Sequence, residues 1–430
     1  MNKVLATVLL ILAAGMVQCT SQQAVAQDGL AYRSIYSPTN SDAAFRQRYG
    51  THHVDSDWDL WGHAMKKVAA GASDEVCARV DGKVHPEQYC FSSDKLYELT
   101  VSYILDQFGE GTADYSARIC IMPQDNRVAC LCNRCTKRGN TPGNATPAVT
   151  DMLRRLAKRF PRHRFYTSAY NTTLQVPDRR LPQNVGVWVS AARFQLRVEL
   201  KQAKGYDEMR QQLADWAKVT DNVCVWDYMR NFNDYLSPFP CLHVMQSRLR
   251  FYREMGVRGV FLNGSGYDYA AFDDVQTAVL AQLLANPDTD VDAAVSEYLR
   301  EAYPITAPLI QDYYLGLEHR TVQTNHHLPL YSENMQELVA SYLNAKEFTQ
   351  WRAKLDKASK QTSGDERRRL NSLLTALSYT QLRLFQEKCL PLDEELRDEM
   401  VDVLKGHSEL KDMKYYSESE GSIDTFIKGL

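Results

Sequence analysis

Three cysteines within six residues, Cys130, Cys132 and Cys135, form the most specific chemical signal in the chain. Ahead of them stand a polar turn, Gln124-Asp125-Asn126-Arg127, and a short apolar run, Ala117 to Met122. Core packing does not explain thiols this close together. Two chemistries suit them. One is a closed structural zinc site, which takes four ligands in nearly tetrahedral order, with Cys90 as the fourth. The other is a disulfide such as Cys130–Cys135. Either would pin the loop after Asp125 without redox turnover, and neither makes a cofactor a requirement for catalysis.

The second chemistry is that of carboxylates. Apolar strands that open into polar loops are how α/β scaffolds present a site. Asp125 follows one such run, Asp227 closes another, and Asp268 follows a Gly-rich loop. Glycoside cleavage commonly uses two carboxyl groups, one to protonate the leaving oxygen and one to attack the sugar or activate water. Asp125 and Asp227 are the expected catalytic pair. The plainer alternative is that they cap helices or pair with Arg127 and Arg230. Around them Arg33, His63, Tyr170, Trp188, Trp226, Tyr228 and Asn263 lie at or near expected strand ends and are expected to shape a substrate pocket. Tyrosine and tryptophan are plentiful, at 24 and 6, which suits stacking on sugar rings as well as ordinary core packing. Gly264-Ser265-Gly266 reads as a turn rather than a phosphate loop. His326-His327 carries no motif.

The elements that must hold these residues read as eight strands: Leu30–Tyr36, Trp58–His63, Glu87–Phe91, Ala117–Met122, Arg164–Tyr170, Val185–Ser190, Asn222–Tyr228 and Val257–Leu262. Most are followed by a helical pattern, such as Asp94–Phe108, Pro147–Phe160, Tyr206–Val219, His243–Met255 and Asp273–Ala285. Apolar strands alternating with helices argue for a parallel sheet, and eight of them for a closed (β/α)8 TIM-like barrel over residues 27–289. No Gly-rich fingerprint follows the first strand, which weighs against a dinucleotide-binding sheet. From about residue 290 the apolar period is helical throughout, so residues 290–430 are expected to form an all-helical domain.

Bulk properties narrow the class. Net charge is −3 with scattered basic residues, which leaves no nucleic-acid footprint. Lys3, the apolar run Val4–Val17 and Ala24-Val25-Ala26 read as a signal peptide over residues 1–26. The chain is therefore expected to be secreted or periplasmic. Lipid attachment at Cys19 is the alternative, disfavoured by Gln18 just before it. No stretch reads as a transmembrane segment. Oligomeric state is not legible.

With these residues in view, the chain resembles a Bacteroidetes family known as domain of unknown function 4838, whose members look like glycoside hydrolases distantly similar to α-glucuronidases and hexosaminidases. The likeness runs from Tyr32 to Tyr303. It rests on Tyr32-Arg33, Phe45-Arg46, Leu60-Trp61-Gly62-His63, Gln88-Tyr89-Cys90, Pro123-Gln124-Asp125-Asn126, Pro182-Gln183-Asn184-Val185, Val225-Trp226-Asp227-Tyr228 and Asn286-Pro287. The resemblance implies a barrel and a carbohydrate ligand outside the cytosol. Related sequences often carry Glu or Gln where Asn263 stands here.

Three functions are compatible with this reading: a secreted glycoside hydrolase acting on an oligosaccharide, a glycan-binding barrel that does not cleave, and a scaffold built on the helices and thiols.

Overall fold

The computed structural model describes residues 30–410 and 412–430. The expected signal peptide and Cys19 lie outside the described residues. Eight strands are present: β1 Tyr32–Tyr36, β2 Cys77–Val80, β3 Lys83–Tyr89, β4 Arg118–Cys120, β5 Arg164–Ala169, β6 Val185–Ser190, β7 Val223–Tyr228 and β8 Gly259–Asn263. Six of them form one all-parallel sheet in the order β1-β8-β7-β6-β5-β4. This corrects the expected closed eight-stranded barrel. The sheet is an open half-barrel whose edges, β1 and β4, are joined by no ladder among the described residues.

Two of the eight expected strands account for the difference. The segment Trp58–His63 makes a single bridge, Leu60 to Ile119 of β4, and His52 bridges Ser34 of β1 in the same isolated way. Gly62 at φ +69° turns the backbone out of extended conformation before a ladder can grow. Glu87–Phe91 falls within and just beyond β3, which pairs antiparallel with β2 outside the main sheet. Asp81 and Gly82, at φ +51° and +78°, make the turn between them. An Asp-Gly pair with both residues at positive φ is the type I′ hairpin signal.

In the main sheet, side-chain alternation separates two environments. Val185, Val187, Val189, Val223, Val225, Val260 and Leu262 join the aliphatic core shared with the flanking helices. Tyr32, Cys120, Trp188, Cys224 and Phe261 form a second, largely aromatic cluster, with Tyr36, Trp61, Tyr166 and Trp226 packed on it. Near-continuous apolar strands such as Val185–Ser190 follow from burial on both faces. After Asn263 the described elements are helices and turns, with no further named strand. Their buried residues, such as Tyr314, Leu377 and Leu382, belong to the same aliphatic core as the sheet. No helix among the described residues is long and apolar enough to cross a membrane.

A buried carboxylate interrupts the helix face. Asp227 follows Val223 and Val225 in the alternation and is fully buried. Its carboxylate accepts two hydrogen bonds from Arg248, each 2.7 Å, one from Tyr252 Oη at 2.6 Å and one from its neighbour's backbone N–H at 2.8 Å. Arg248 also donates to the carbonyls of Phe194 and Gln195 at 3.2 Å. The pair thus ties β7 to the Leu242–Glu254 helix and to the loop after β6. Removing one partner of a buried pair strands the other charge. Arg248→Met is expected to lower unfolding free energy by about 3–5 kcal/mol in urea denaturation. A loss below about 1 kcal/mol would show that the pair carries little of the fold.

Candidate functional site

The C-terminal ends of the parallel strands open into a cleft of about 570 Å³. Alternation selects its floor. Ser168 of β5, Trp188 and Ser190 of β6, Trp226 and Tyr228 of β7 and Asn263 of β8 all line it. Asn263 sits in register between Tyr36 and Tyr228 at the sheet's edge. His63, Asp125 and Tyr170 come from the adjoining loops. His63 Nδ1 lies 2.5 Å from the carbonyl of Pro123. That carbonyl can only accept, so Nδ1 is the donor.

The structure therefore brings together seven of the residues singled out from the sequence: His63, Asp125, Tyr170, Trp188, Trp226, Tyr228 and Asn263. It does not bring in Arg33 or Asp227. Arg33 lies on the opposite face of β1 from Tyr32 and Tyr36, near the strand's N-terminal end, and its guanidinium packs beside Gly50. Asp227 is turned to the helix face, with both oxygens held by Arg248 and Tyr252. The expected facing pair of Asp125 and Asp227 is thus not assembled. Asp268 is also elsewhere, accepting from the backbone of Tyr415 at 3.0 Å.

A different carboxylate faces the cleft. Glu418 lines it, carried by the C-terminal segment, together with Tyr331 and His327. Tyr331 Oη donates to Glu418 Oε2 at 3.0 Å, and Asn171 Nδ2 donates to Asp125 Oδ1 at 2.9 Å. The Glu418 segment is laid back over the sheet by backbone bonds from Glu418 to Phe232 and from Tyr235 to Tyr416, both 2.8 Å. Burial, then the Glu418 carboxylate, pushes the Tyr331 phenol above its ordinary value. Burial, then Asp125, does the same to Tyr170. Both phenols stay neutral donors at physiological pH. His327, which carries no sequence motif, is a cleft residue; position in the fold alone puts it there.

The loop that presents Asp125 is clamped from the β2–β3 hairpin. Gln88, buried, donates to the Gln124 carbonyl at 3.2 Å and to Asn126 Oδ1 at 3.0 Å, and accepts from the Gln124 N–H at 3.1 Å. Asn126 Nδ2 in turn donates to the Glu87 carbonyl at 2.9 Å. Both neighbours of Asp125 are thereby fixed to one hairpin.

The thiols fasten the same two parts further out. Cys90 follows β3, while Cys130, Cys132 and Cys135 follow the Asp125 loop, and the four sulfurs lie within 4.8 Å of one another. Cys90 Sγ is 3.6 Å from both Cys132 Sγ and Cys135 Sγ. Ligands at about 2.3 Å from a tetrahedral ion sit about 3.8 Å apart, whereas a disulfide needs about 2.05 Å. None of the described cysteines is in a disulfide, so the Cys130–Cys135 bridge is not formed. The donor set and its spacing fit a thiolate-bound metal. Hydrogen bonds from Cys135 and Cys90 hold the Cys130 thiol well below the usual thiol range, and the Arg79 backbone N–H points at the same sulfur from 3.3 Å.

Gln88→Ala leaves the Gln124 N–H without its partner. Hydrogen exchange at the Gln124 and Val128 amides is expected to rise about tenfold or more, the equivalent of about 1.4 kcal/mol. Unchanged exchange there would show that the loop is held without the clamp.

No curated protein matches the chain. The family model described as "Domain of unknown function (DUF4838)" matches residues 21–315, a span that takes in the whole six-stranded sheet, the hairpin and the thiol cluster but ends before Tyr331 and Glu418. By that match, over more than half of its length, this chain is a member of the DUF4838 family.

Proposed function

We propose that the cleft binds an oligosaccharide and that the protein is a glycoside hydrolase working through Asp125 and Glu418. The observation that carries this is the combination of two carboxylates with an aromatic cleft at the C-terminal ends of parallel strands. Tryptophan and tyrosine rings offer flat apolar faces to sugar rings. In such chemistry one carboxyl group protonates the departing oxygen and the other attacks the anomeric carbon or activates water. His63 Nε2, Tyr331 and Arg193 supply polar contacts around them. The reading includes export, on the leader expected over residues 1–26.

A second reading, glycan binding without cleavage, is favoured by one observation. Asp125 and Glu418 are both exposed at the rim, while the strand end on the floor carries an amide, Asn263. An amide hydrogen-bonds a sugar hydroxyl but transfers no proton. A broad glycan panel separates the two. Sugar release is expected from the wild type and is expected to fall by about 100-fold or more in Asp125→Asn and in Glu418→Gln. Asp227→Asn should lose stability instead, with activity per folded molecule kept. Binding without release, abolished by Trp188→Ala, would select the second reading. Release that survives both carboxylate changes would keep the enzyme and discard these residues.

We also propose that the Cys90, Cys130, Cys132 and Cys135 cluster holds a structural zinc ion. Zinc would lock the Asp125 loop to the hairpin, and thiolates committed to a metal resist disulfide formation in an oxidising compartment. Elemental analysis of protein refolded with Zn²⁺ is expected to find one zinc per chain more in the wild type than in a Cys132→Ser, Cys135→Ser variant. Chelation should raise exchange at the Leu131 and Cys135 amides before the rest of the fold loosens. Metal-free protein with the four thiols still reduced and the loop still protected would refute the assignment.

A further inference from the structure

Outside the cleft lining and the thiol cluster, two imidazoles and a carboxylate converge. His243 stands in the first turn of the Leu242–Glu254 helix, Asp292 in the first turn of Val291–Ala302, and His319 within Ala307–Thr324. One ligand atom from each lies within 4.8 Å of the others. His319 Nε2 is 2.7 Å from Asp292 Oδ2, and His243 Nε2 is 3.6 Å from Asp292 Oδ1. Nitrogen and oxygen ligands at about 2.0–2.1 Å from a tetrahedral ion sit about 3.3 Å apart, and the two separations bracket that spacing.

Asp292 alone signals nothing, because a carboxylate in the first turn of a helix is favoured by the helix dipole. Two further features point to a ligand. Glu318, fully buried, lies 3.1 Å from His243 Nδ1. A carboxylate can only accept there, so Nδ1 is the donor and Nε2 is the ring nitrogen directed toward Asp292. A carboxylate behind a histidine is the arrangement that orients imidazole ligands in metal sites. The same carboxylate is itself fixed, accepting from the backbone of Leu242 at 3.0 Å and from Tyr314 Oη at 3.0 Å. Secondly, Asp292 Oδ1 is enclosed yet has no hydrogen-bond partner among the described residues.

We propose that His243, Asp292 and His319 form a second metal site, for a divalent ion of borderline softness such as Zn²⁺ or Co²⁺. Two imidazoles and one carboxylate suit such ions rather than Ca²⁺ or Mg²⁺, which take oxygen ligands. The fourth position is left to water, since His319 and Asp292 are partly open to solvent. Binding through Nε2 would replace the hydrogen bond that His319 donates to Asp292 in the free state. The ion would join the helix between β7 and β8 to the second and third helices that follow the sheet.

The test uses the full chain without a histidine tag. Zn²⁺ is titrated in, and bound metal is counted by elemental analysis. Wild type is expected to hold one equivalent more than His319→Gln or Asp292→Asn, whatever the thiols retain, or to bind the last equivalent about tenfold or more tightly than they do. His319 is exposed and Asp292 half-buried, and unchanged circular dichroism confirms that the variants fold. Added Co²⁺ provides an independent readout: this site is expected to give weak visible bands without the ultraviolet sulfur-to-metal bands that the thiols would add. Equal stoichiometry and affinity in wild type and both variants would leave only an ion-paired surface cluster and overturn the site. So would cobalt spectra that contain sulfur bands alone.

Discussion

A β-strand turns each successive side chain to the opposite face, and this protein is arranged around that constraint. On every strand of the main sheet, one parity feeds the aliphatic core beneath the helices and the other feeds the aromatic cluster. At the C-terminal ends the aromatic parity runs on into the cleft, which is why Trp188, Trp226, Tyr228 and Asn263 face the same space. The division cannot be blurred by small movements, because a shift of one residue would invert a whole strand. Asp227 shows how strictly it holds. It lies between two cleft residues, Trp226 and Tyr228, yet faces the helices, where Arg248 and Tyr252 neutralise and saturate it. Its contribution to the site is indirect: Arg248 carries the Phe194 and Gln195 carbonyls, and both residues form cleft wall.

An open parallel sheet leaves two edges, and exposed edges invite pairing with other chains. Here the chain covers its own. His52 and Leu60 each make one bridge to an edge strand, and Trp58 and Trp61 pack between them against Trp188. The β2–β3 hairpin lies beyond β4, where Gln88 and the four cysteines hold the Asp125 loop. β4 is only three residues long, and its loop gains order from side chains and thiols rather than from a ladder. The most specific sequence motif is thus placed where backbone pairing runs out.

The sequence legibly signals the strands that carry long apolar runs, because burial on both faces leaves a compositional mark. Trp58–His63 misleads, since its apolar residues look like a strand while Gly62 ends it after one bridge. Asp81-Gly82 was readable as a hairpin turn but is overlooked when each apolar run is counted separately. Arg33 and Asp227 could have been excluded from the sequence. If Trp226 and Tyr228 face a pocket, strand alternation sends Asp227 to the other side. If Tyr32 and Tyr36 face inward, Arg33 faces out. Glu418, Tyr331 and His327 are another matter. They sit in polar stretches without period or spacing, so only tertiary contact identifies them.

That contact has a consequence for how the cleft is built. Asp125 is fixed by neighbours close in sequence, through Gln88 and the thiols. Glu418 is held by bonds that span the whole sheet and the helices after it, from Phe232, Tyr235 and Tyr269 to residues 412–418. Loop-closure entropy makes such contacts late and costly relative to local ones. One wall of the cleft is therefore intrinsic to the sheet, and the other arrives with the C-terminal segment. The C-terminal segment is itself anchored in the main core, where Met413 and Ile423 are buried and against which Tyr416 and Phe426 pack. The wall that carries Glu418 therefore forms only when residues far apart in sequence have met, whereas the wall that carries Asp125 needs only the hairpin and its own loop.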